Sequence, residues 1–277
     1  MTISLGFLTL HPLSAAVLLA LLAGMPILLR LLPVSVTADL MLAGLAGALI
    51  GGRALHVLLN WGYFAAHPGE AVALYAGGLD WHGAVIGGLV GVRGYLALTL
   101  NPSPSGRGTL RRRIFSPLPQ GGGWGERGNL LDALAPLLPL LALAAWAGCA
   151  ASACGYGAEV PTLADYPAFA VSESRDVYGI TAPRWNTPLF GVALALVVGL
   201  IVLACAWRGW ARGRRLWLAL ALLSAGMFAL GFVRGDYSPN AFNIRVDQLL
   251  DIGLFVFSAA AFLTQRRKDA ETQSSFG

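Results

Sequence analysis

The chain has 277 residues, of which 56% are hydrophobic and only 12% are charged. Soluble domains carry roughly 25% charged residues, so this composition excludes an ordinary water-soluble protein and indicates one that mostly faces lipid. The formal net charge of +5 does not indicate a nucleic-acid-binding protein, because the basic residues concentrate in two short loops and the C-terminal tail.

Seven apolar segments approach the length of about 20 residues that a membrane-spanning helix needs. We therefore predict an all-α polytopic membrane protein, built as a seven-transmembrane-helix bundle. No positively charged segment precedes the first span, so no cleavable signal peptide is expected. The predicted spans are residues 13–32, 38–59, 83–100, 130–153, 188–207, 216–232 and 246–263.

Basic residues set the predicted orientation, because loops rich in arginine and lysine stay in the cytoplasm. Clusters of such residues follow spans three, five and seven, whereas the intervening loops are mainly acidic. The N-terminus is therefore predicted outside and the C-terminus in the cytoplasm. The three clusters are Arg107, Arg111, Arg112, Arg113 and Arg127; Arg208, Arg212, Arg214 and Arg215; and Arg266, Arg267 and Lys268.

The chain is predicted to form one integral membrane domain over residues 1–277. Residues 101–129 are rich in proline, glycine, serine and arginine, which predicts a disordered cytoplasmic insertion. Residues 155–187 form the longest predicted extracytoplasmic loop, and residues 266–277 form a cytoplasmic tail.

The cysteines fall in or beside apolar segments, with neither metal-ligand spacing nor a disulfide framework. We expect them to behave as small apolar residues rather than as a bridge or a metal site. They are Cys149, Cys154 and Cys205.

The most informative motif is GGLDWHGAVIGG at residues 77–88, where a polar loop becomes an apolar helix. It places His82 at the mouth of a span, where an ionisable group is a functional candidate because the bilayer penalises its charge. Gly78 and Gly83 allow a neighbouring helix, backbone or lipid head group to come close. The alternative is an interfacial histidine satisfied by loop carbonyls.

Other charges lie within or beside the spans. Asp39 and Asp132 open spans two and four, where a carboxylate is expected to cap its helix. Arg53 lies deeper, with His56 about one turn further, and is expected to face the bundle interior or a wet cavity, bound to a carboxylate, carbonyl or phosphate. Arg93 is close enough to the cytoplasmic end to extend to the surface.

Arg234 ends span six beside Asp236. Its guanidinium could hold a phosphate as a planar donor fork, or it could simply pair with Asp236 at the end of a helix. Arg53, His82 and Arg234 would together form a basic group near the outer leaflet. Such a group suits an anionic lipid head group.

The same residues carry a family resemblance. The elements ADL at residues 38–40, GGR at 51–53, GGLDWHG at 77–83 and DALAP at 132–136 resemble those of the prolipoprotein diacylglyceryl transferase family in order and spacing. The similarity extends over most of the chain outside residues 101–129. The RGD and VDQ segments beginning at Arg234 and Val246 resemble the last two spans more weakly.

This resemblance implies a multi-pass enzyme of the bacterial inner membrane. It would move diacylglycerol from phosphatidylglycerol to the lipobox cysteine of a preprolipoprotein, forming a thioether and releasing glycerol phosphate, with no metal or organic cofactor. His82 would lie near the thiol or phosphate, with a base generating the thiolate. The lipid phosphate would be held by Arg53, Arg234, Gly78 and Gly83, with supporting roles for Asp39, Asp80, Asp132, Tyr156 and Gly157.

The chain also departs from the family pattern. Trp146 stands where the family has an arginine, and Ala158 replaces the arginine after Tyr-Gly. Gly191 lies in an element that lacks its glutamate, and Met227 and Gly231 align where an arginine and a glutamate are expected. Losing one contact to a developing anion typically costs about 100- to 1,000-fold in rate.

Two alternatives therefore accompany the transferase prediction. One is a catalytically inactive paralogue that binds lipid or lipoprotein precursors on the same scaffold. The weaker one is a small transporter in which His82 and Arg53 line a substrate or proton path, although the spans show no paired halves with broken helices.

Overall fold

The computed structural model describes residues 3–5, 8–10, 12–30, 34–74, 77–100 and 130–274. The predicted insertion at residues 101–129 lies outside them. The described chain is mainly helical. Its helices are α1 (Pro12–Leu29), α2 (Val34–Leu59), α3 (Trp61–Ala66), α4 (Trp81–Leu100), α5 (Leu130–Leu134), α6 (Leu137–Ser152), α7 (Thr187–Trp207), α8 (Arg215–Leu230) and α9 (Val246–Ser274).

Each predicted span contains helical structure, but the fourth is divided between α5 and α6, and α9 continues past the predicted end of the last span. Within the described residues, five helices are long and apolar enough to cross a membrane. This confirms a mostly helical polytopic membrane protein. The count of seven crossings and the orientation of the termini stay predictions. The five helices are Pro12–Leu29, Val34–Leu59, Leu130–Ser152, Thr187–Trp207 and Val246–Gln265.

Three short antiparallel hairpins accompany the helices. β1 (Ile3–Leu5) pairs with β2 (Leu8–Leu10), and β3 (Val171–Arg175) pairs with β4 (Thr181–Trp185). β5 (Asn240–Ala241) pairs with β6 (Ile244–Arg245) directly before α9. The predicted extracytoplasmic loop at residues 155–187 therefore contains regular structure.

The chain divides into two compact units, one of residues 28–127 and the other of residues 1–27 with 128–277. In the first unit, α2 and α4 pack along glycines that have no room for a side chain. A Cβ atom added to Gly47, Gly51, Gly83, Gly87 or Gly91 would lie under 3.0 Å from backbone of the facing helix. Small residues allow membrane helices to approach this closely and to pack through van der Waals contact.

In the second unit, α6 packs on α7, α7 on α8, and α8 on α9. Leu216, Ala219 and Leu220 of α8 are fully buried in this packing. Pro188 lies in the first turn of α7, where a missing N–H group costs nothing because it has no partner inside the helix.

The two aspartates predicted to cap their own helices do something else. Helix α2 begins at Val34, so Asp39 lies in its second turn and accepts a hydrogen bond from the Tyr95 hydroxyl at 3.0 Å. Asp132 does lie in the first turn of α5, but its carboxylate accepts from the backbone N–H groups of Gly213 and Arg215 at 2.7 and 3.2 Å. It therefore caps α8 rather than its own helix.

The expectation for the cysteines was wrong for two of them, because Cys149 and Cys154 form a disulfide. Helix α6 ends at Ser152, and its C-cap residue Ala153 adopts a left-handed conformation with φ of +56°. This turn folds the chain back, and the N–H of Cys154 donates to the carbonyl of Cys149 at 3.2 Å. The two Cα atoms are then only 4.6 Å apart. Cys205 is a free thiol.

Candidate active site

Asp80 and His82 form a hydrogen-bonded pair at the start of α4. One carboxylate oxygen of Asp80 accepts from the backbone N–H groups of His82 and Gly83 at 2.9 and 3.1 Å, as an N-cap residue does. The same oxygen lies 3.1 Å from Nδ1 of His82. His82 is only 1% exposed. The cap and the side-chain contact together fix the orientation of the imidazole.

The charge of Asp80 assigns the tautomer of this histidine. Burial acts to raise the pKa of Asp80, but the hydrogen bond and charge of His82 and the N–H groups of Gly83 and His82 lower that pKa below its ordinary value. Asp80 is therefore a carboxylate at neutral pH and can only accept hydrogen bonds. The Nδ1 atom of His82 is therefore the donor in this hydrogen bond.

Arg53 holds the loop that precedes this pair. Its guanidinium donates hydrogen bonds to the carbonyl oxygens of Ala71 at 2.8 Å, Glu70 at 2.5 Å and Gly78 at 3.1 Å, and also to that of Gly77. It also lies over the ring of Phe64, 5.2 Å from the centroid. Of the partners expected for Arg53, the structure shows carbonyls, and the side chain is buried. Its role in binding a lipid phosphate stays a prediction.

Gly78 lets this loop pack against α2. Its φ is +76°, and a Cβ atom there would lie 2.9 Å from Nη1 of Arg53 and even closer to the His56 ring. The following residue, Asp80, donates its backbone N–H to the carbonyl of Gly52 at 3.0 Å. Because Gly83 also packs on Gly51, the structure brings Arg53, Gly78, Asp80, His82 and Gly83 into one site within one unit.

A second group of charged residues lies in the other unit, between α8 and α9. Arg234 pairs with Asp236 and lies 3.5 Å from Asp247, while Arg245 lies 3.3 Å from Asp236 and 3.0 Å from Asp247. We call these two arginines and two aspartates the Arg–Asp ring. Burial would lower the pKa of Arg234, but Asp236, followed by Asp247 and Asp251, raises it above its usual value.

Tyr156 and Gly157 dock the start of the 155–187 loop onto this second unit. Gly157 forms a bridge to Arg234, and a Cβ atom on it would collide with the carbonyl of Trp185. Arg184, which is buried, lies over the Tyr156 ring at 5.0 Å and pairs with Glu159 and Asp176 at 2.6 and 3.1 Å. Through these contacts, Tyr156 and Gly157 help to hold the loop in place.

The family model of the prolipoprotein diacylglyceryl transferases matches residues 1–102 and 126–264. The chain belongs to this family. It is 27% identical over 233 residues to the phosphatidylglycerol–prolipoprotein diacylglyceryl transferase of Symbiobacterium thermophilum. This match covers 83% of the present chain and 76% of that protein. It is 39% identical over 97 residues to the Azoarcus enzyme of the same name, although the match spans only 34% of either chain.

Trp146, which was expected to replace a family arginine, is buried in the second unit. Its indole is 6% exposed and fills the space beside Gly191, where an added Cβ atom would lie under 3.0 Å from the ring. The Arg234 guanidinium lies 6.0 Å from the ring centroid. Trp146 and Gly191 therefore depend on each other, because the large residue at position 146 leaves no room for a side chain at position 191.

The predicted group of Arg53, His82 and Arg234 is divided between the two units, the first two residues in one and Arg234 in the other. A joint pocket for a lipid phosphate stays a prediction. Sequence reasoning missed Arg184 and Arg245, although the spacing of Arg245 and Asp247 repeats that of Arg234 and Asp236. It also gave no role to Trp81, the residue between Asp80 and His82.

Proposed function

We propose that this protein is a phosphatidylglycerol–prolipoprotein diacylglyceryl transferase of the bacterial cell membrane. The observation that carries the proposal is the buried Asp80–His82 pair in a loop fixed by Arg53, in a chain of this family. The substrates would be phosphatidylglycerol and a preprolipoprotein with a lipobox cysteine.

In this reaction the cysteine sulfur attacks the glycerol carbon that carries the phosphate ester. A carbon–sulfur bond forms, the carbon–oxygen bond breaks, and glycerol phosphate leaves with the bonding electron pair. The thiol proton goes to Nε2 of His82, since Nδ1 already donates to Asp80. Asp80 holds the ring in this tautomer and stabilises the imidazolium that forms.

The experiment that tests this function is complementation of a strain depleted of its own diacylglyceryl transferase. We expect the wild-type chain to restore growth and the His82→Ala variant to fail, because loss of a general base costs about 100- to 10,000-fold in rate. His67→Ala is the matched control, since His67 is exposed and contacts Tyr63. Absence of growth with a well-expressed, membrane-inserted wild type would reject the proposal.

One set of contacts favours the alternative of an inactive lipid-binding relative. Arg234 is bound to two carboxylates. The sequence-based expectation that Trp146 replaces a family arginine also supports this alternative. If the wild type fails to complement but still binds phosphatidylglycerol vesicles in preference to phosphatidylcholine vesicles, this alternative replaces the transferase.

We further propose seven membrane crossings with the N-terminus outside and the C-terminus in the cytoplasm. The distribution of basic loops supports this orientation. The Cys149–Cys154 disulfide supports it independently, because disulfides persist in oxidising compartments and this one adjoins the predicted extracytoplasmic loop.

The orientation predicts how introduced cysteines react in intact cells. With Cys205 replaced by serine, a cysteine at the exposed Tyr178 should react with a membrane-impermeant maleimide, whereas one at the exposed Arg208 should react only after lysis. The opposite pattern of labelling would reverse the proposed topology.

A further inference from the structure

The indole N–H of Trp81 is a buried hydrogen-bond donor without a partner. The Nε1 atom has essentially no accessible surface and no hydrogen bond within the described residues. The ring lies against the imidazole of His82, with centroids 4.3 Å apart and planes inclined by 40°. The unpaired N–H group of Trp81 therefore belongs to a ring that contacts His82, the proposed base.

Such a donor is costly to leave unpaired. A buried polar group without a partner typically costs about 1–3 kcal/mol, and most of those found in native proteins have a reason. Several acceptors at the start of α4 and in the preceding loop already have donors. One Asp80 oxygen accepts from the backbone and ring of His82 and from Gly83, and the carbonyls of Gly77 and Gly78 accept from Arg53.

We propose that Trp81 donates this hydrogen bond to an oxygen of the phospholipid substrate, and so is a further lipid-binding residue. This inference rests on the proposed function. Trp81 begins a helix whose neighbouring apolar side chains are open to the surroundings, with Leu79 48% and Ile86 52% exposed. Tryptophan at such a boundary commonly lies at the level of lipid head groups, with its N–H toward polar atoms.

The chemical class of acceptor is a phosphate or an ester oxygen, since the indole group donates and cannot accept. Either acceptor would place the lipid against the face of His82. The peptide carbonyl of the lipoprotein substrate is the competing acceptor. Measuring KM separately for the lipid and for the peptide distinguishes these two acceptors.

Trp81→Phe removes the N–H group and keeps an aromatic ring against His82. We expect the KM for phosphatidylglycerol to rise about 3- to 10-fold, the effect of losing one hydrogen bond, with the KM for the acceptor peptide unchanged. The melting temperature should hold or rise, because an unsatisfied donor has been removed. A purely structural tryptophan would lower it instead. Trp61→Phe is the control, because Trp61 is exposed in the same unit.

An unchanged KM for phosphatidylglycerol, or a rise confined to the peptide, would overturn the proposal. So would a lower melting temperature without a change in KM. A transferase assay that finds no activity in the wild type would refute the proposed function but leave the binding question open to a second measurement.

That measurement follows the Trp81 indole N–H by NMR, with ¹⁵N-labelled tryptophan in nanodiscs and Trp81→Phe to assign the signal. We expect a downfield shift when phosphatidylcholine is replaced by phosphatidylglycerol. Diether phosphatidylglycerol separates the acceptors, because a shift that persists identifies the head group and one that disappears identifies the ester carbonyl. A signal that is the same in all three lipids overturns the proposal.

Discussion

Replacing Gly87 with leucine is expected to separate α2 from α4 and to lower the melting temperature in detergent by roughly 10 °C. An added Cβ atom would lie under 3.0 Å from the Gly47 carbonyl oxygen and 2.9 Å from the Gly51 Cα atom. Both obstacles are backbone, so no side chain can rotate away and the helices themselves must move. Overpacking of this kind costs about 1–3 kcal/mol or more, and each kcal/mol lowers the melting temperature of a chain this size by about 2–4 °C.

Gly94 provides the matched control on the same helix, because a Cβ atom there meets nothing within 4 Å. Gly94→Leu should melt within about 2 °C of the wild type, since both substitutions remove a helix glycine and only one meets a neighbour. The measurement is thermal unfolding of the purified protein, followed by size-exclusion fluorescence. Equal melting temperatures for the two leucine variants would contradict the close packing of α2 and α4.

The second large effect is expected at Arg53. Arg53→Ala should release residues 70–71 and 77–78, whose carbonyls Arg53 binds, and reduce diacylglyceryl transfer by about 100-fold or more. One buried guanidinium donates to four carbonyls of this loop, and its removal leaves all four without that donor. Arg53→Lys should recover only part of the activity, since a single ammonium group cannot reproduce the planar fork.

Amide hydrogen exchange distinguishes the role of Arg53 in positioning the loop from a direct role in catalysis. We expect amides of residues 69–74 and 77–80 to lose protection in Arg53→Ala and to keep it in His82→Ala, although both variants lose activity. Arg93→Ala is the control, because Arg93 is exposed on α4. Unchanged protection in Arg53→Ala would show that the loop is held by other contacts.

The parts of this fold that follow from local sequence were predictable. Runs of apolar residues located helical structure in each predicted span, because a helix that crosses a bilayer needs about 20 mostly apolar residues. Among the described helices, five are long and apolar enough to cross, so the count of seven crossings stays a prediction. The sequence predicted His82 as a candidate and gave Asp80 only a supporting role, although the pairing of the two is equally local. Two residues separated by one position at a helix start come together through the cap itself, whatever the rest of the chain does.

The parts that depend on distant residues were not predictable. The carbonyls bound by Arg53 lie 17 to 25 residues away. Because every residue has a backbone carbonyl, no residue type in the sequence identifies these partners. Asp39 was misassigned because the helix extends to Val34, and Asp132 because its partners lie more than 80 residues along the chain. The disulfide required a left-handed turn at Ala153, a residue that rarely adopts one.

Positive and negative side chains alternate in the Arg–Asp ring, and this arrangement limits how an anion could bind to its arginines. Each guanidinium contacts both carboxylates, so the four formal charges sum to zero and no cation is left in excess. An incoming phosphate would have to displace Asp236 or Asp247, and the expelled carboxylate would then need water or a new cation. Anion capture at this position is therefore an exchange of counter-ions, whose free energy depends on where the displaced aspartate goes.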